Sequence, residues 1–334
     1  MRLKINIILL LLLIVFSSCF KEEEMVEPHK PGDVFTSSVK LGQYYKFQVY
    51  FDLSTGMDVA SNDRNIWDLG FDASDEGWNI TLNSSKFMYA ANTGLTDFQS
   101  VTDTAGLDWN FDNANGHPDS TAIREWLKIT LTDTSYPKNV YVIDLGLNEL
   151  GVPQGLKKVI FEELKNGLYN FKFANVDGSE EYSFTITKDP SLNIVCFSFE
   201  DGGKQIEIQP EKNGWDLLFT QYTDLLYTNE NDPYPYIVTG VLLNSNSVEA
   251  AFDTTMNFND ISIDNILDFD FSSAQNKIGY DWKYYDFDNT VYTVFSNYNY
   301  IIRDVEGYFY KLRFIGFYNN QGEKGFPTIE YQKL

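Results

Sequence analysis

Apolar and polar residues alternate along most of this chain. Tyr45, Phe47, Val49 and Phe51 take turns with polar neighbours, which is the two-residue period of a half-buried strand. Ser54-Thr55-Gly56 follows as a turn. Runs of the same kind occupy residues 66–71, 78–82, 140–145, 159–164, 169–173 and 182–187. Gly, Asn and Asp separate them, so the pattern predicts a mainly β protein of antiparallel sheets. The tail is densest in strands. Residues 280–287 and 290–295 lead into 298–303, and Asp304-Val305-Glu306-Gly307 turns into 308–318. Asn319-Asn320-Gln321-Gly322 then turns into 325–331, which predicts three consecutive antiparallel strands. One or two short helices interrupt the pattern. Asp119-Ser120 supplies a cap before residues 121–127, and residues 260–267 form the second candidate.

The front of the chain follows a different rule. Arg2 and Lys4 precede an apolar run over residues 5–16, and Ser17-Ser18-Cys19 closes it. The run is too short for the roughly 30 Å of a bilayer core. Residues 1–18 therefore read as a signal peptide. A cysteine directly after two small residues resembles the bacterial lipobox, and that resemblance implies cleavage before Cys19 and its acylation. The alternative is an ordinary signal peptide with an incidental cysteine. Lys21-Glu22-Glu23-Glu24 resembles the tag that sends lipoproteins to the outer face of the outer membrane. Residues 19–42 are polar and carry Pro28, Pro31 and Gly32, as expected of a lipid-anchored flexible tether.

A repeat organises the remainder. Residues 46–71 and 194–219 align without a gap at an offset of 148. Phe51 matches Phe199, Asn65 matches Asn213, and Trp67-Asp68-Leu69 with Phe71 matches Trp215-Asp216-Leu217 with Phe219. The repeat predicts an N-terminal β half over 43–165 and a C-terminal β half over 166–334. In each WDLxF strand, Trp and Leu face one side. The Asp faces the other, where it can accept bonds from turn amides. Trp67, Asp68, Trp215 and Asp216 are accordingly read as structural, with both tryptophans in equivalent buried sites.

Charge and composition narrow the function. Without Arg2 and Lys4, 23 basic side chains face 48 acidic ones, a net charge of −25. Phosphate attraction needs Lys and Arg clusters, so nucleic acid is excluded as a partner. The 22 Tyr and 26 Phe can fill a large core. Once Cys19 is acylated only Cys196 is left, so no intrachain disulfide forms. Chemistry is sparse. His29 and His117 are the only histidines, and with two cysteines they assemble no zinc site. No G-x-S-x-G and no phosphate-binding glycine loop occurs. The oxygen-rich loop 108–115 could hold calcium but lacks an EF-hand frame, and a solvated turn is the alternative. The chain is read as a non-enzyme.

One family resemblance draws these features together. The paired WDLxF frames, the segment 236–244 (YIVTGVLLN), Gly279-Tyr280-Asp281-Trp282, and the ending KLRF followed by GEKGFPTIEY resemble the HmuY family of surface lipoproteins. The resemblance implies an all-β, hand-shaped fold and a ligand-binding role, with haem or another flat hydrophobic molecule as the ligand. It also implies an outer-membrane transporter as partner. Family members hold haem iron with two His or Met side chains. Beyond His117 this chain has no histidine, and Met256 is its only methionine after residue 150. Bis-His ligation is therefore out of reach. The expected pocket lies in the loops around 222–236 and 251–258, with Tyr222, Tyr227, Tyr234, Tyr236 and Met256 as ligand-binding residues. The alternative is a structural or interaction lipoprotein that keeps the fold without a haem site.

Overall fold

The alternation resolves into twenty-two strands among the described residues, and every pairing between them is antiparallel. The computed structural model describes residues 30–334, and Pro31–Leu334 form one compact unit. The signal segment, Cys19 and the first part of the tether lie outside the described residues. The end of the expected tether does not stay free. Residues Val34–Ser38 form β1 against the last strand, and Val39 and Leu41 are fully buried.

Two five-stranded and two four-stranded sheets carry the fold. The first five-stranded sheet runs β1, β22 (Lys324–Lys333), β21 (Phe309–Tyr318), β20 (Asn299–Arg303), β17 (Glu249–Asp253). The second runs β12 (Tyr182–Thr187), β11 (Leu168–Asn175), β10 (Leu156–Lys165), β9 (Val140–Asp144), β6 (Tyr89–Asn92). The four-stranded sheets are β14 (Lys204–Ile206), β13 (Ile194–Ser198), β4 (Leu69–Asp72), β5 (Ile80–Leu82), and β16 (Pro233–Leu243), β15 (Leu217–Tyr227), β2 (Phe47–Asp52), β3 (Met57–Asp63). Two small hairpins complete the list: β7 (Lys128–Ile129) with β8 (Thr134–Ser135), and β18 (Lys283–Asp286) with β19 (Val291–Val294).

Each four-stranded sheet packs its apolar face on a five-stranded one. Leu69, Phe71, Val195 and Phe197 meet Tyr141, Phe161, Tyr169 and Phe171 in one core. Val49, Phe51, Leu217 and Phe219 meet Tyr300, Leu312, Phe314 and Ile329 in the other. Aromatic rings dominate both, in the edge-on and offset arrangements that such rings prefer.

The two WDLxF strands hold corresponding places, and their leading strands are exchanged. β2, which precedes the first WDLxF, pairs with β15, which carries the second. β13, which precedes the second, pairs with β4, which carries the first. The Asp68 amide donates to Phe197 O (2.7 Å) and the Asp216 amide to Phe51 O (2.9 Å). The Phe199 amide donates to Asp68 Oδ2 and the Leu53 amide to Asp216 Oδ2, both at 2.8 Å. Two buried asparagines repeat the scheme. Asn83 Nδ2 donates to Arg64 O and Trp67 O at 2.7 and 2.9 Å, and Asn244 Nδ2 to Lys212 O and Trp215 O at 2.7 Å each. The remaining Asp oxygens differ. Asp68 Oδ1 pairs with buried Lys86, while Asp216 Oδ1 accepts the Val305 amide at 3.0 Å.

Three expectations change. The expected division at residue 165 falls at the turn of the β10–β11 hairpin, whose strands pair from Lys157↔Asn175 to Lys165↔Leu168. Trp215 is buried, but Trp67 is only half-buried. Residues 121–127 form no helix. Pro118–Ser120 make a single 3-10 turn, capped by His117, and the Ala122 amide donates to Asp112 Oδ1 at 2.7 Å. Burial of Ile123, Trp126 and Leu127 overrides the local cap signal. The second candidate is present as the 3-10 turns Phe258–Asp260 and Ile263–Asp268. No helix among the described residues is long and apolar enough to cross a membrane.

Candidate functional site

The β15–β16 hairpin places the four expected tyrosines. It is paired over eleven residues, from Leu217↔Leu243 to Tyr227↔Pro233. Tyr222, opposite Val238, is fully buried against Ala114 and Val238, and its hydroxyl meets no partner. Burial holds that phenol well above its ordinary pKa. It is a core side chain. Tyr227, Tyr234 and Tyr236 near the free end are exposed, and the last two rings meet edge-on at 6.3 Å.

Met256 lies elsewhere. After β17 the chain turns on Asp253, whose Oδ2 accepts the Met256 amide at 2.9 Å, and Asn299 Nδ2 donates to Met256 O at 2.9 Å. The half-buried thioether packs beside Ala251, Ile261 and Ile301. It lines a hollow of about 490 Å³ with Phe258, Asp260, Asn299 and Arg313. Arg313 makes two bonds to Glu330 Oε1, at 3.0 and 2.6 Å, and lies over the Phe258 ring at 4.5 Å. None of the four tyrosines lines this hollow. The expected pocket thus divides into two separate surfaces, and its first part, 222–236, is a strand hairpin rather than loops.

The other side chains able to ligate haem iron through N or thioether S are scattered. Met57 is exposed on β3, Met88 is buried in the first core, and His117 is exposed, with Nδ1 accepting the Asp119 amide at 3.3 Å. A haem held by two such ligands does not fit the described residues; one thioether at Met256 is what they offer. Among the described residues no group of three or more His, Cys, Asp or Glu could hold a metal ion. In the candidate calcium loop, Asp112 gives its oxygens to the amides of Leu82 (2.6 Å) and Ala122 (2.7 Å), and burial raises its pKa to about 6. Cys196 is buried, which pushes its thiol up.

Sequence reasoning missed a third feature. A cavity of about 170 Å³ lies between the two four-stranded sheets, lined by Gln48 and Tyr50 of β2, Leu218 of β15, Leu242 of β16, Trp67 and Trp215. The matched pair of WDLxF tryptophans was the one signal that could have found it.

The family model described as HmuY protein matches residues 44–331. Among solved structures, the apo HmuY analogue TFO of Tannerella forsythia shares 10% identity, with 92% of this chain and 98% of that one covered and a TM-score of 0.25. Apo PinO from Porphyromonas gingivitis shares 10% identity, with 90% and 97% covered and a TM-score of 0.27. A protein of Bacteroides vulgatus, designated HmuY-like and heme-binding, shares 18% identity, with 52% and 90% covered and a TM-score of 0.18. Among curated proteins nothing matches the chain.

Proposed function

Because the chain belongs to the HmuY family, we propose that it is a non-catalytic, lipid-anchored binding protein of the outer-membrane surface that takes haem or another flat hydrophobic ligand in the Met256 hollow. The family match over residues 44–331 carries this reading. The hollow, at about 490 Å³, is within the range of small-molecule sites. Phe258 supplies an apolar wall, Met256 a thioether, and Arg313 a cation for an acidic edge of the ligand. A thioether is a soft ligand, so reduced iron suits it better than oxidised iron. Cys19 is the lipid attachment, the acidic tag directs the protein outward, and an outer-membrane transporter is the partner that receives the ligand.

A titration of the protein with haem tests the site. A shifted, saturable Soret band is expected, stronger under reducing conditions and weakened in Met256→Ala. No saturable band in either redox state sinks the haem reading. The interaction lipoprotein then takes its place, and one observation favours it: Tyr227, Tyr234, Tyr236, Tyr284, Tyr285 and Phe287 are all exposed, and such rings are enriched at protein interfaces. For the anchor, Cys19→Ala is expected to move the protein from membrane to soluble fractions, and unchanged membrane retention refutes it.

A further inference from the structure

We propose that the free ends of two hairpins, β15–β16 and β18–β19, form one docking surface for an arginine of a partner protein, which seats beside Asp224 and Asp281 among exposed tyrosine rings. The proposal gives the bare rings noted above a partner of stated chemistry. It uses no residue of the Met256 hollow, so its failure and a failed haem titration are separate results.

The two hairpins present one surface. Tyr234 and Tyr236 lie on the same face of β16, and Asp224 stands directly across from Tyr236 on that face. The second hairpin is tied to the same strand, because Lys283 Nζ donates to Thr239 O at 2.5 Å. On it, Tyr285 meets Tyr292 edge-on at 5.0 Å, and Phe287, 84% exposed, meets Tyr285 at 5.0 Å. Burial raises the Tyr292 phenol above its ordinary pKa, and Tyr236 of the other hairpin adds to the rise. Rings from both hairpins therefore gather around Tyr292.

Composition sets these ends apart. Residues 224–236 and 280–294 hold nine aromatic side chains in 28 residues, twice the 16% share of the whole chain. Tyr234, Tyr236, Tyr285 and Phe287 are left exposed, and a contiguous exposed patch of this kind marks an interaction site.

Charge selects the partner. The same two stretches carry six Asp or Glu and one Lys. Burial raises Asp281, the neighbouring Asp224 charge raises it further, and Lys283 offsets part of the effect. Two like charges are thus held close together. Among the described residues neither forms an ion pair. Lys283 directs its N–H groups at Thr239 O and at Tyr280 O (3.4 Å), and lies over the Trp282 ring at 4.1 Å. A cation from outside would relieve the repulsion. A guanidinium suits the place best, because its planar fork bonds two carboxylate oxygens at once and its face stacks on a tyrosine ring. An anionic lipid surface would be repelled.

The test uses the full chain in detergent, labelled with ²H and ¹⁵N, and follows amide shifts. The probe is a capped Gly-Arg-Gly-Arg-Gly peptide, compared with the same peptide carrying citrulline, which has the shape of arginine without its charge, and with free arginine amide. The arginine peptide is expected to give saturable shifts confined to residues 224–236 and 280–294. Citrulline should bind roughly tenfold more weakly, as the loss of a charge-assisted bond implies. Asp224→Asn with Asp281→Asn keeps the shape of both side chains and should weaken the arginine peptide by roughly tenfold. Tyr236→Ser, at an exposed position, should weaken it by roughly threefold, and it serves if the double variant fails to fold. Shifts spread over the whole acidic surface, or none that saturate, overturn the inference. So does equal affinity for arginine and citrulline, or binding that both the double variant and Tyr236→Ser leave unchanged. Free arginine amide binding as tightly as the peptide would make this a small-molecule site and overturn the docking surface.

Discussion

Asn244→Ala should be among the most destabilising single changes outside the aromatic cores. Asn244 is fully buried, and its Nδ2 donates to Lys212 O and Trp215 O at 2.7 Å each. Its Oδ1 accepts from Asn193 Nδ2 at 2.7 Å and from the Asn246 amide at 2.9 Å. Alanine leaves two carbonyls and two donors short of a partner. Each buried polar group left unpaired costs about 1–3 kcal/mol, and water can reach the half-exposed Asn246 side. A total of about 3–5 kcal/mol follows, against a global stability on the order of 5–15 kcal/mol. With an unfolding entropy of about 2.1 cal/mol/K per residue over about 300 residues, Tm should fall by roughly 5–8 °C. Asn83→Ala removes the corresponding bonds to Arg64 O and Trp67 O and should cost the same within about 1 kcal/mol. Asn246→Ala loses the Nδ2 bond to Asn213 Oδ1 at 2.8 Å, on the exposed side, and should cost under about 1 kcal/mol. Urea denaturation of the three variants gives the values. A cost below about 1 kcal/mol for either buried asparagine, or one no larger than that of Asn246→Ala, refutes the reasoning.

Further outcomes follow from buried charge and close packing. Burial raises Asp216 to about 7 and Asp112 to about 6, so the stability tied to their neutral forms is complete below pH ~4 and is lost as pH rises through 6–7. Burial lowers Lys283 to about 7, so its contribution is lost as pH falls through 7 and returns toward pH ~10.5. Urea midpoints should therefore decline from pH 4.5 to 7 and recover above, with Lys283→Met flattening the alkaline limb; a rising acid limb contradicts this. Gly240→Ala should cost about 3 kcal/mol or more, because a Cβ there would sit 2.3 Å from Gly279 O; a thermal shift under 2 °C would show that the backbone can give way.

Local alternation found most of the long strands but not β1, β6 or β17, and the tail hairpins at Asp304–Gly307 and Asn319–Gly322 stand where turn residues placed them. The matching WDLxF segments were visible too, but the exchange of their leading strands was not. The aligned segments are offset by 148, whereas the residues that bond the two Asp amides, Phe197 and Phe51, are 146 apart. Sequence identity marks similar strands and says nothing of which segment supplies the neighbour. The helix expected at 121–127 failed for a related reason: a cap is a local signal, while the packing of Trp126 on Phe161 and Tyr169 is not. The same limit governs the tyrosines. The stretch 222–236, expected as loops, is instead most of the β15–β16 hairpin, and only the neighbouring elements decide that Tyr222 is covered and Tyr234 and Tyr236 are bare.

The exchanged strands also bear on how this chain is made. β2 cannot complete its sheet until β15 exists, and β13 must travel back to β4. β1 waits longest, because its partner is the last strand. Pairings between such distant segments are slow to form. A chain emerging from the ribosome, or threading through a secretion channel, would carry open strand edges until nearly its whole length was free. A premature stop would then yield no working fragment, since neither sandwich belongs to one stretch of the chain.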